Sequence, residues 1–72
     1  MGKAKEDSEM LTRALIALID KLNQENKKEV FLYKSLRILH QAKSLIWRPH
    51  WLKLRRHILE KLREGKENAN GS

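Results

Sequence analysis

Apolar residues recur every three to four positions in three successive stretches of this chain, and two short interruptions separate them. In the first stretch Leu11, Ala14, Leu15, Leu18 and Leu22 keep helical spacing, while Ile16 and Ile19 widen the stripe beyond a single seam. A helix that is apolar over so much of its girth needs neighbours on two sides. Asp7 or Ser8 is expected to cap it, with Glu9 in the first turn, where the helix dipole favours an anion. The spacing predicts this helix over about 8–23.

The polar run Asn23-Gln24-Glu25-Asn26 breaks the pattern. Asn26 followed by Glu29 has the spacing of a capping box, so a second helix is expected over about 27–47. Its buried face is read as Phe31/Leu32, Leu36, Ile38/Leu39, Ala42 and Leu45/Ile46, with Lys34, Arg37, Gln41, Ser44 and Arg48 opposite. Pro49 sets the next boundary: proline disfavours helical dihedrals in the residue before it and suits the first position of a new helix. A third helix is therefore expected over about 49–64. It carries Trp51, Leu54 (or Leu52), Ile58, Leu59 and Leu62 on its apolar side. Gly65 is placed just past its end. No strand pattern competes, so the fold class is all-α. The expectation is one domain, residues 7–65, forming a small up-down-up three-helix bundle, with flexible tails at 1–6 and 66–72.

Composition narrows the means of stabilisation. Seventy-two residues make a thin core, and with no cysteine neither a disulfide nor a thiolate zinc site can reinforce it. Good helix packing, a partner or a second copy must do so, and a homodimer using the apolar girth of the first helix, through Ile16 and Ile19, follows as one expectation. The absence of cysteine suits an intracellular setting, cytoplasmic or nuclear. Acidic residues Glu6, Asp7 and Glu9 directly follow Lys3 and Lys5, which argues against a targeting segment. The longest apolar run, Ala14 to Ile19, is six residues, too short for a membrane span.

Charge is the feature that points to a partner. The formal net charge is +7, and it is uneven: residues 1–26 sum to −1, 27–42 to +3 and 43–66 to +6. A basic C-terminal half is an electrostatic footprint for an anionic partner. Arg37, Arg48, Lys53, Arg55, Arg56, Lys61 and Arg63 are the residues expected to contact it, with Lys53, Arg56 and Lys61 sharing one face of the third helix. Nucleic-acid phosphates are the first expectation, since backbone contact needs cations more than a motif. An acidic protein is the alternative, with Tyr33 and Trp51 as aromatic contacts beside the isoleucines.

Catalysis is not expected. Ser8, Thr12, Ser35 and Ser44 have no histidine within a helical turn that an acid also orients. His50 and His57 stand seven apart, about 10 Å along a helix, where ligands on one helix sit three or four apart. Neither a metal nor a cofactor is expected.

Overall fold

The computed structural model describes the backbone of residues 4–71 and the side chains of residues 4–64. It is an all-α bundle of α1 (Lys5–Glu25), α2 (Lys28–Ala42) and α3 (Arg48–Gly71), and each helix packs on both others. Side-chain ties fix the directions. Ser8 and Asp20 of α1 meet His50 and His57 of α3 in the same order, so these two helices run parallel. Lys28 and Leu39 of α2 meet Lys61 and Trp51 in the reverse order, so α2 runs antiparallel, giving the expected up-down-up topology.

The core consists of Ile19, Phe31, Leu39, Ala42, Ile46, Leu54 and Ile58, with Leu11, Leu15, Ile16, Leu22, Ile38, Trp51 and Leu62 packed around it. Ser8, Thr12 and Ser35 are also buried, and each hydroxyl is satisfied. Several leucines read from periodicity as core lie outside it: Leu32, Leu36, Leu45 and Leu59 are all substantially exposed. The reason is geometric. Each helix touches two neighbours through roughly a third of its circumference, and the apolar residues of α2 and α3 cover more than that.

The helix ends depart from the sequence reading. Asn26 does not cap α2, whose N-cap is Lys27 without a side-chain bond. It closes α1 instead: its backbone N–H and its side-chain amide both donate to the Leu22 carbonyl, at 3.1 and 3.0 Å. A carbonyl has two lone pairs, so the side-chain amide adds a second bond to the one the backbone already makes. Asn26→Ala should lower the unfolding free energy by about 1 kcal/mol through that lost bond. Asn26→Asp, which keeps the size and loses the donor, should do the same in urea denaturation; unchanged midpoints would remove the cap from the account.

α2 stops at Ala42 rather than near Trp47, because its carbonyls are taken by tighter or foreign donors. Lys43 N–H donates to His40, Leu45 and Ile46 both donate to Ala42, and the Trp51 indole donates to the Leu39 carbonyl at 2.8 Å. α1 begins at Lys5, inside the stretch expected to be flexible, and α3 continues past Gly65 to Gly71. No glycine there has the positive φ of a helix-ending position, and no proline interrupts the run. Residues 1–3 and 72 of the expected tails lie outside the described residues.

Candidate polyanion-binding face

The seven cations singled out in the sequence do not share one surface. Arg37 lies on the α1 flank of α2, where it donates to the Tyr33 hydroxyl at 3.5 Å. There it lines a shallow groove of about 310 Å³ with Leu18, Leu22, Lys34, Ile38 and Gln41. Lys53 lines a smaller cleft between α1 and α3 with Glu9, Arg13 and His50. Lys61 leans against α1, its ammonium 3.9 Å from Asp20 and 3.4 Å from Glu64. The common face expected for Lys53, Arg56 and Lys61 is therefore not formed. Arg56 and Lys61 are five residues apart, which turns them about 140° from one another on a helix.

What the fold does bring together is an arginine strip. Arg48, Arg55, Arg56 and Arg63 are exposed along the outer side of α3. Among the described residues none of the four is within ion-pair distance of a carboxylate. Sixteen residues of helix spread them over about 22 Å. The inward sides of α3 are already used: His50, Lys53, His57 and Lys61 face α1, and Trp51 faces α2. The arginines occupy the remaining sector, which no helix of the bundle covers. Leu52 and Leu59, 45% and 46% exposed, lie in the same sector.

The partner contacts expected from apolar residues divide. Ile19 is 0% exposed and belongs to the core, whereas Ile16 is partly buried against it and lines the α1–α3 cleft. A helix with neighbours on both sides buries the very residues that made its stripe look too wide. Trp51 is half-buried and tied to α2 through its indole N–H, whereas Tyr33 stands 66% exposed beside the α1–α2 groove. Trp47 stacks on His50 with ring centroids 6.0 Å apart.

Two long-range pairs were invisible to local pattern. His57 Nε2–H donates to Asp20 Oδ1 at 2.6 Å, a tie between α1 and α3. Ser8 Oγ shares a hydrogen bond of 2.5 Å with His50 Nδ1 and accepts the Trp47 backbone N–H at 2.8 Å. A serine beside a histidine invites a nucleophile reading, but Ser8 is 1% exposed and its hydroxyl is committed to the α1–α3 junction. Among the described residues no group of three or more His, Asp or Glu side chains could hold a metal ion, and no helix is long and apolar enough to cross a membrane.

Fold and surface together define a small three-helix bundle with one uncovered arginine-rich helix face. No protein-family model matches the chain, and neither the curated proteins nor the solved structures contain a significant match.

Proposed function

We propose that this chain is a non-enzymatic binding module that captures an anionic macromolecule on the outer face of α3. The observation that carries this reading is the strip of Arg48, Arg55, Arg56 and Arg63, exposed and without carboxylate partners among the described residues. Four guanidinium groups held on one helix present paired donors to phosphate or carboxylate. The net charge of +7 adds long-range attraction to either. Nucleic-acid phosphates and a carboxylate-rich protein segment both satisfy this electrostatic requirement. A non-enzymatic role is supported by the burial of Ser8 and by the structural use of His50 and His57.

The test is a salt-titrated binding assay with duplex DNA, single-stranded RNA and an acidic polypeptide. Binding to a nucleic acid through this face should show a logarithmic salt dependence whose slope falls by about one for each arginine removed. Arg55→Glu with Arg56→Glu should abolish binding to every polyanion and leave the melting temperature near that of the parent, because neither side chain belongs to the core. If the reversed variant binds as the parent does, the arginine face has no such role. Lys61→Gln should change binding little, since its ammonium already faces Asp20 and Glu64.

A further inference from the structure

Six residues of the outer α3 face repeat with a seven-residue period: Arg48 and Arg55, Leu52 and Leu59, Arg56 and Arg63. At 3.6 residues per turn they fall within about 100° of arc, in the angular order Arg55, Arg48, Leu59, Leu52, Arg63, Arg56. Two leucines one heptad apart thus form an apolar seam with two arginines on each side. This gives one apolar position per heptad where a coiled-coil seam has two, and the arginines at its borders would choose the charge of a helix laid on it, as border charges do in paired helices. Leu32 and Leu36 of α2 are exposed as well. Leu32 sits one heptad before Leu39, whose carbonyl binds Trp51, and so lies on the flank of α2 that faces α3.

Resting on the proposal that this face is the binding face, we infer that its partner is an acidic amphipathic helix, with leucine-like residues on one stripe and glutamate or aspartate on both borders. Charge complementarity selects this occupant over a second copy. Two copies of the strip would bring eight arginines against one another, and like charges at the borders of a seam reject that pairing. The leucines select it over nucleic acid. Phosphate contacts position a protein through cations and hydrogen-bond donors, and a leucine laid on a hydrated phosphate backbone gains nothing. Exposed apolar groups surrounded by charge are the mark of a protein docking surface, and a helix laid with its apolar face into such a surface is a recurrent mode of recognition.

Two synthetic 21-residue helical peptides serve as probes, both with glutamate at the border positions. One has leucine along its seam and the other glutamine. The leucine peptide should bind the full chain at least roughly tenfold more tightly than the glutamine peptide, the scale set by burying two half-exposed leucines. Leu52→Gln with Leu59→Gln should remove that preference and leave binding to heparin or duplex DNA within about twofold of the parent. Circular dichroism should show this variant folded, because neither leucine is in the core. Equal binding of the two peptides, or an unaltered preference in the leucine variant, overturns the inference. Tighter binding of duplex DNA than of the leucine peptide also overturns it, while the arginine reading stands. If Arg55→Glu with Arg56→Glu leaves every affinity unchanged, the arginine reading itself fails.

Discussion

Phe31→Ala is expected to leave the chain largely unfolded at 25 °C. Among the described residues Phe31 is fully buried and is the largest side chain in a core of seven buried apolar residues, where it joins α2 to the rest of the bundle. Phenylalanine-to-alanine changes in cores cost about 3–5 kcal/mol, the sum of lost transfer free energy and the cavity left behind. A domain of this size holds only about 3–5 kcal/mol of core stabilisation without a disulfide or metal, so the loss matches the whole margin. The Lys28 ammonium lies 5.6 Å from the ring centroid, and its favourable contact with the ring goes too. Far-UV circular dichroism should show most of the helical signal gone and no cooperative urea transition. Tyr33→Ala, two residues on and exposed, should stay within about 0.5 kcal/mol of the parent. A Phe31→Ala variant that melts cooperatively at the parental midpoint would mean that the core lies elsewhere.

The contrast between Phe31 and its neighbours shows what the sequence could and could not reveal. Helical periodicity is a local property, and it identified three helices and their order. It cannot count how many neighbours each helix has. Periodicity therefore places Leu32, Leu36 and Leu59 in the core although they are exposed, and leaves Ile19 for a partner although it is fully buried. The capping box at Asn26 and Glu29 failed for a related reason. The same amide can serve the helix behind it or the one ahead, and here it binds the Leu22 carbonyl behind. Charge content was legible, whereas the grouping of charges was not. Arg48, Arg55, Arg56 and Arg63 separate from Lys53 and Lys61 only once α1 occupies one side of α3 and supplies Asp20. The heptad of arginines and leucines is present in the sequence. It acquires meaning when the fold shows that its sector is uncovered, because a buried heptad and a docking heptad look alike on a helical wheel.

Ser8→Ala should destabilise the bundle more than any other loss of a single hydroxyl. Trp47, the residue just before α3, is no serine, threonine, aspartate or asparagine, so the first N–H groups of the helix have no side-chain cap from their own segment. The fold supplies the acceptor from α1: Ser8 Oγ takes the Trp47 N–H at 2.8 Å and shares a 2.5 Å hydrogen bond with His50 Nδ1. The Ser8 carbonyl also receives the Thr12 hydroxyl at 2.6 Å, so the backbone at this point is held as well as the side chain. Removing the hydroxyl takes a hydrogen bond from two part-buried groups, at about 1 kcal/mol for each. Hydrogen exchange of the Trp47 amide should accelerate with the loss, which a purely volumetric role for Ser8 would not produce. A double-mutant cycle separates the two accounts. His50→Phe retains a ring to stack on Trp47 and lacks the nitrogen that meets Ser8. If the hydrogen bond couples α1 to α3, Ser8→Ala and His50→Phe together should cost less than the sum of the single changes, by about 0.5–3 kcal/mol. Strictly additive losses would show that the Ser8–His50 bond does not couple the two helices, and unchanged exchange of the Trp47 amide in Ser8→Ala would show that Ser8 only fills space at the junction.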